Sequence, residues 1–317
     1  MPLFTVFTPT YNRAHTLPRL YESIKRQTFR DFEWLIVDDG STDDTKELVR
    51  DWQKENNDFP IIYIWQPNQH KKVAFNRGVR EARGKYFVPI DSDDELLPDA
   101  LEKFLYMWNT IPAEKQAHFA WVMGLCLDDN GKVVGDLFPK EPFDVSFIDY
   151  IFYYKVEGEK FRCLKTEVLK EFPFPEDIPN LVPESVVWLR MGKRYIGRAF
   201  NIPVRIYHQD VESICRPKDK TLAKLQNAEG RLLLYSEVLD LITMKRFLGA
   251  PFLCLLFAIA YNVWENYVPQ ERRRFKPKSL SGKFLASLTK PLGYLVFLLD
   301  RRGFVDKIRN YLGIKIW

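Results

Sequence analysis

The chain has 317 residues, 46% of them apolar, so it has material for one large domain or two small ones with a sizeable core. Its four cysteines (Cys126, Cys163, Cys215 and Cys254) are scattered with no Cys-x-x-Cys pair, which argues against a zinc site or a disulfide scaffold and for reduced thiols. The net charge of +5 is uneven: residues 268–317 carry twelve Lys/Arg and three Asp/Glu, a balance of +9, and the remainder is near −4. That basicity belongs to the tail and points to an anionic surface, with no nucleic-acid partner expected.

The first hundred residues alternate two periodicities. Short apolar runs at 3–8, 33–38, 61–65 and 85–90 read as strands buried on both faces. The first lies almost at the start, with no basic segment and apolar run before it, so a cleaved signal peptide is not expected. Between the strands lie helical stripes: Leu17, Leu20, Tyr21 and Ile24; then Leu48, Val49 and Trp52; then Phe75, Val79 and Ala82. This β-α-β-α order predicts an α/β fold with a mostly parallel, Rossmann-like sheet flanked by helices. In such sheets ligands bind beyond the carboxyl ends of the strands.

Further on, Pro98 opens a helix whose inner face is Leu101, Phe104, Leu105 and Trp108. Trp121–Leu127 and 132–134 flank Asp129-Asn130-Gly131 and predict a hairpin. Residues 144–154 read as helical, 161–179 as irregular, 184–194 as a helix and 202–207 as a strand, and the chain is helical from Thr221 onward.

Three of the strand ends carry chemistry. The first runs into Thr8-Pro9-Thr10-Tyr11-Asn12-Arg13, whose aromatic, amide and hydroxyl groups can stack on and hydrogen-bond a base. The second runs into Val37-Asp38-Asp39-Gly40-Ser41-Thr42-Asp43, where two adjacent carboxylates need donors such as a base imide or a ribose hydroxyl. A capped strand–helix loop explains Gly40 through Asp44 equally well. The fourth runs into Asp91-Ser92-Asp93-Asp94-Glu95. Residues two apart on an extended chain face the same way, so Asp91 and Asp93 can converge while Ser92 turns away. Hard oxygen ligands of this kind suit Mg²⁺ or Mn²⁺ with a substrate's phosphates, though an acidic turn capping the next helix has the same composition.

These segments, with Asn76-Arg77-Gly78 between them, resemble in order and spacing the successive signatures of glycosyltransferase family 2, inverting enzymes with the GT-A fold. The match is close over 1–100 and looser to about 216. It implies a nucleotide-sugar-binding half at 1–100 and an acceptor-binding half at 101–218, followed by a helical, basic and apolar tail at 219–317. By the resemblance Thr8, Tyr11 and Asp39 hold the nucleoside, usually uridine, alongside Pro9, Asn12, Arg13 and Asp38. Asp91 and Asp93 match the D-x-D element, Asp93 as the direct ligand of Mn²⁺ or Mg²⁺ and Asp91 at the ribose or the metal's water, with Ser92 between them. Asn76 and Arg77 match a helix facing the donor sugar and diphosphate. His70-Lys71-Lys72 replaces the small Gly-rich turn of many relatives, which leaves donor selectivity and a role for Lys71 and Lys72 open against a solvated charged loop.

The resemblance also places a base at the start of a later helix, where Glu184 matches but Ser185 replaces the second acid of the usual Glu-Asp pair. Arg205-Ile206-Tyr207-His208 resembles the late element ending in His, with His208 as a metal ligand and Arg205 and Arg216 beside the diphosphate. The expected activity is inverting, metal-dependent transfer from a UDP-linked sugar to a glycan or lipid-linked glycan in cell-surface polysaccharide assembly. Two other readings stay open: a catalytically silent nucleotide- or glycan-binding module, and a sugar-phosphate nucleotidyltransferase. The latter would need a Gly-rich, Arg-containing loop where Thr8–Arg13 stands. A dinucleotide-binding dehydrogenase is disfavoured because no Gly-x-Gly-x-x-Gly follows the first strand.

Phe247–Trp264 is uncharged over eighteen positions, the lower limit for a membrane span. Gly249, Pro251 and Asn262 interrupt it, and a span there would put the basic run 271–278 on the far side from a cytoplasmic catalytic part. Residues 245–317 are therefore expected to lie on the inner face of the membrane, apolar groups in the lipid and cations at anionic headgroups. The rival is a helical extension packed on the protein or on a partner subunit, and homo-oligomerisation is left open.

Overall fold

The computed structural model describes residues 1–55, 57–154, 156–209 and 220–301. They divide into two compact units, one of residues 1–174 and 190–209, the other of 175–189 and 220–301.

The first unit opens with β1 (Phe4–Thr10), α1 (Leu17–Lys25), β2 (Phe32–Asp38), α2 (Thr45–Lys54), β3 (Ile61–Trp65), α3 (Lys71–Glu81) and β4 (Tyr86–Pro89). Every residue of β1 and β2 is buried, as strands covered on both faces require. β1 pairs in parallel with β2 and β4, and β2 with β3. The stripe on α1 packs through Tyr21, which stacks on Trp52 at 4.2 Å and on Trp34 at 5.8 Å, so one aromatic column joins two helices to β2. On the other face α3 approaches β1 at Gly78, where a Cβ would fall 2.1 Å from the Phe7 ring. The glycine of the Asn-Arg-Gly motif is therefore a packing requirement.

The chain continues through β5 (Glu95–Leu96), α4 (Ala100–Asn109), β6 (Phe119–Leu127), β7 (Phe143–Val145), α5 (Phe147–Asp149) with a π-helical turn to Tyr154, β8 (Lys160–Lys165), α6 (Thr166–Glu171), α7 (Ser185–Gly192) and β9 (Ile196–Ile206). Among the described residues the nine strands form one sheet in the order β3-β2-β1-β4-β8-β6-β9-β5, with β7 also on β9. β8 runs antiparallel to β4 and β6, while β9 is parallel to β6. The chain winds outward from β1 to β3 and returns to β4 on β1's other side, so the strand order reverses beyond the carboxyl ends of β1 and β4.

Four expectations are corrected. Residues 160–171 are ordered as β8 and α6, not irregular. Lys160, Arg162 and Lys165 broke the apolar run that marks a strand. Here Lys160 Nζ donates to the Glu157 carbonyl at 2.8 Å, Arg162 lies over the Phe147 ring, and Lys165 donates to the Gln116 carbonyl. Residues 143–145 form a strand ahead of the helical turn. β9 starts at Ile196, six residues early, because Arg198, which interrupts its pattern, is paired bidentately with Asp144 of β7 at 2.6 and 2.7 Å. The predicted hairpin's second strand shrinks to a bridge between Leu127 and Val133 across a turn with Gly131 at φ +76°.

The second unit is helical: α8 (Lys220–Asp240), α9 (Met244–Gly249), α10 (Pro251–Tyr267) and α11 (Leu280–Arg301). The uncharged run is split at Ala250, whose φ of −150° and ψ of 60° fall outside the helical region, ahead of Pro251. Among the described residues no helix is long and apolar enough to cross a membrane.

Candidate active site

The β1 and β2 loops lock together first. β1's last residue, Thr10, lies directly opposite Asp38, and the Asp39 N–H donates to the Thr10 carbonyl at 2.9 Å. Asp38 accepts from Ser41 N–H at 2.8 Å and from the Tyr63 hydroxyl at 2.5 Å. Asp43 accepts from Ala14 N–H at 3.0 Å and from the Thr45 hydroxyl at 2.6 Å. Burial raises the Asp43 carboxyl, but these bonds from Thr45 and Ala14 outweigh it and leave the group below its usual range. Asn12, at φ +52°, donates its N–H to Ser41 Oγ and accepts from Thr42 N–H at 2.8 Å. Asn12 and Asp38 thus serve the loops' shape.

Within that frame, Asp39 Oδ1 accepts from Gln66 Nε2 at 2.7 Å and from Gln69 N–H at 2.9 Å, while its Oδ2 has no hydrogen bond among the described residues. Thr8 is fully buried and its hydroxyl accepts from Trp34 Nε1 at 3.0 Å. Tyr11, the residue that follows β1, is 48% exposed. Thr10 Oγ1 is buried without a hydrogen-bond partner among the described residues, a polar group the sequence did not single out.

Beyond β4, ligand oxygens of Asp91, Asp93 and Asp94 all lie within 4.8 Å of one another. Ile90 N–H donates to the Phe7 carbonyl at 2.8 Å, which seats this loop beside the end of β1. Two of the three acids already face cations. Lys71 Nζ lies 2.7 Å from Asp91, and Arg205 Nη2 lies 2.9 Å from the buried Asp94. Burial raises the Asp91 carboxyl, but Lys71, Arg205 and Arg13 outweigh it and hold it below its usual range. Asp94 goes the other way: burial, with the like charges of Asp91 and Asp93, pushes it up to about 7 against Arg205. The half-buried Asp93 carboxylate has neither a hydrogen bond nor an ion pair among the described residues, and Arg19 donates to its main-chain carbonyl. A hard divalent cation fits this donor set.

Of the other expected residues, some touch that cluster and others lie away from it. His208 is tied to it by its backbone, which donates to Asp94 at 3.0 Å, but its ring nitrogens face Glu95 at 2.9 Å and Asp129. Arg205 sits between the Phe161 and Tyr207 rings, with Asp94 as its partner. The Asn76 amide bonds both polar atoms of the Phe174 backbone at 2.9 Å, and Arg77 donates to the Trp65 carbonyl at 3.3 Å. Lys72 is buried at the start of α3, Pro9 lies in buried β1, and Ser92 is buried between the two acids. Arg216 lies outside the described residues. Asp94 is a participant to which sequence reasoning gave no role, and Lys71 was weighed there only against a solvated loop. The third Asp of the Asp-x-Asp-Asp run was the available signal for Asp94, but nothing local marks Lys71.

Comparison with known proteins gives the chain its family. Residues 5–114 match the family Glycosyl transferase family 2. A Campylobacter jejuni relative, GalNAc(5)-diNAcBac-PP-undecaprenol beta-1,3-glucosyltransferase, is 30% identical over 249 residues, covering 75% of this chain and 76% of its own.

The chain belongs to glycosyltransferase family 2.

As a family 2 member it is a glycosyltransferase enzyme, which sets aside the silent binding module and the nucleotidyltransferase. Solved structures agree on the fold. Staphylococcus aureus TarS 1–349 in complex with UDP-GlcNAc superposes with a TM-score of 0.65 at 17% identity, over 96% of this chain and 92% of that one. Mannosyltransferase PcManGT from Pyrobaculum calidifontis, in complex with GDP-Man and Mn²⁺, gives 0.56 at 20% identity, over 99% and 88%. The mixed sheet flanked by helices is thus the GT-A type.

Glu184 belongs to the second unit, exposed just before α7, where its carbonyl accepts the Val187 and Trp188 N–H groups. The segment before it is anchored within that unit. Arg274 pairs with Asp177 at 2.6 Å and with the buried Glu229 at 3.1 Å, and Asn180 Nδ2 donates to the Gln226 carbonyl at 3.0 Å. The tail that the sequence presented as an appendage therefore holds the segment that carries Glu184.

Proposed function

We propose that this glycosyltransferase is inverting and metal-dependent, and that it moves a sugar from a UDP-linked donor to a hydroxyl of a lipid-linked glycan during assembly of a cell-surface polysaccharide. The observation that carries the reading is the convergence of Asp91, Asp93 and Asp94 where the strand order reverses, with Asp93 unpaired among the described residues. A divalent cation held by Asp93, with Asp91 and Asp94 beside it, would supply Lewis-acid stabilisation of the departing diphosphate. Lys71, close to Asp91, adds a positive charge on the same side. The open Oδ2 of Asp39 accepts the imide N–H of uracil, the Tyr11 ring stacks on the base, and Thr10 Oγ1 offers a hydroxyl to the ribose. Glu184 takes the proton of the attacking acceptor hydroxyl, a role assigned on the family position alone.

The named ligands of TarS and PcManGT support a nucleotide-sugar donor and a metal. The Campylobacter relative's name supports an acceptor on a polyprenyl diphosphate. Such an acceptor lies in a membrane, in keeping with residues 245–317 resting on its inner face.

Removing metal with EDTA should abolish transfer and also the rise in melting temperature given by UDP, and Mn²⁺ or Mg²⁺ should restore both. Full turnover and full UDP stabilisation without metal would overturn the metal role. Glu184→Gln should lower kcat by about 10²- to 10⁴-fold with UDP binding unchanged, and unchanged turnover rejects the assignment.

A further inference from the structure

The most apolar stretch of the helical unit is not its exposed one. α10 buries Cys254, Ala258, Ala260, Tyr261, Val263, Trp264 and Tyr267 within the unit. α11 is fixed against it in one rotation. Asn262 Nδ2 donates to the Ala286 carbonyl at 2.8 Å and to Thr289 Oγ1 at 2.9 Å. At Gly293 a Cβ would fall 2.3 Å from Asn262 Cβ, so only glycine permits that approach. At the far end Asp300 accepts from the Tyr267 hydroxyl at 2.7 Å and pairs with Lys224. Leu285, Thr289, Gly293 and Phe297, four residues apart, are therefore the buried row.

That rotation turns a second row outward. Leu280, Phe284, Leu288 and Leu295 are 84%, 66%, 59% and 52% exposed, and their spacing keeps them on one side of the helix. An apolar row so open is unusual on a surface that meets only water. Lys283, Lys290 and Arg301, seven and eleven apart, fall on one edge of it, exposed and without an acidic partner among the described residues. Asp300, the one acid in α11, points inward.

We infer that the outer face of α11 lies in the plane of an anionic lipid surface, with Leu280, Phe284, Leu288 and Leu295 in the apolar boundary and Lys283, Lys290 and Arg301 at the headgroup anions. This deepens the peripheral reading above and rests on it, but it moves the contact from the uncharged run to the amphipathic helix. The charge pattern selects lipid over a second copy, because the outer face of α11 carries cations and no acid with which a second copy of that face could meet them. An amphipathic helix with a basic edge, not long and apolar enough to span, has the properties of an interfacial segment.

The test is co-sedimentation of the full chain with phosphatidylcholine vesicles, with and without phosphatidylglycerol. Retention of the UDP-induced melting shift serves as the folding control for each variant. The wild type should bind the phosphatidylglycerol vesicles and release in high salt. Phe284→Glu with Leu288→Glu should weaken partitioning by about tenfold or more. Lys283→Glu with Lys290→Glu should remove the preference for phosphatidylglycerol. If the Phe284/Leu288 variant binds like wild type while Leu248→Glu with Phe252→Glu releases the protein, the α11 assignment is overturned and the peripheral reading stands. A wild type that ignores both vesicles sinks both readings. Light scattering that then shows a dimer split by the Phe284/Leu288 variant would reassign the face to contact between copies.

Discussion

Two acidic loops sit at the same edge of the sheet and are held in opposite ways. After β2, Asp38 and Asp43 spend their oxygens on neutral donors of the neighbouring backbone and side chains: Ser41, Tyr63, Ala14 and Thr45. After β4, Asp91, Asp93 and Asp94 crowd together, with Lys71 and Arg205 as counter-charges and, among the described residues, none for Asp93. Carboxylates saturated by dipoles shape a loop, whereas a surplus of negative charge in one place is what the proposed cation would neutralise. Asp39 lies between these cases, with one oxygen committed and one open. Composition does not separate the two loops, but the source of their hydrogen bonds does.

The contrast is broken most forcefully by one substitution in each loop. Asp93→Asn should cost about 10²- to 10³-fold in kcat and abolish the Mn²⁺-induced rise in melting temperature. The metal-free melting temperature should hold or rise, because a like charge has left the cluster. Asp43→Ala should do the reverse. It strands the Ala14 N–H, destabilising by about 1–2 kcal/mol, and leaves the response to Mn²⁺ in place. Equal losses of stability from the two variants would make both loops structural.

The parallel half of the fold was legible because its strands are uninterrupted apolar runs and its helices carry clean stripes. The GT-A order of motifs then pointed to the ends of β1, β2 and β4 as the candidate site. What stayed hidden were contacts that sequence distance conceals. Lys71 reads as one charge in a polar loop until α3 brings it to Asp91. Arg205 reads as a diphosphate ligand until burial gives it to Asp94. β8 was missed because Lys160, Arg162 and Lys165 look solvent-facing, yet their charged ends reach main-chain carbonyls and a ring. In the tail, hydrophobicity alone singled out α10, but only the packing around Asn262 and Gly293 tells which helix face is left over.

The same comparison predicts opposite pH dependences for the two loops in metal-free protein. The Asp43 carboxyl lies below its ordinary value, so its contribution to folding is present above that value, near 3.8, and is lost as the solution is acidified through the folded-state titration. Asp94 is raised to about 7, so protonation favours the folded state. Its contribution is complete below about pH 4 and disappears as pH rises through 7. Urea unfolding between pH 4 and 8 should therefore show a falling component in stability that Asp94→Asn flattens and Asp43→Ala leaves intact. Saturating Mn²⁺ should weaken that component as well, since a bound cation favours the ionised cluster and competes with the proton. A slope unchanged by both Asp94→Asn and Mn²⁺ would mean that Arg205 alone neutralises Asp94, and the β4 loop would then resemble its β2 counterpart.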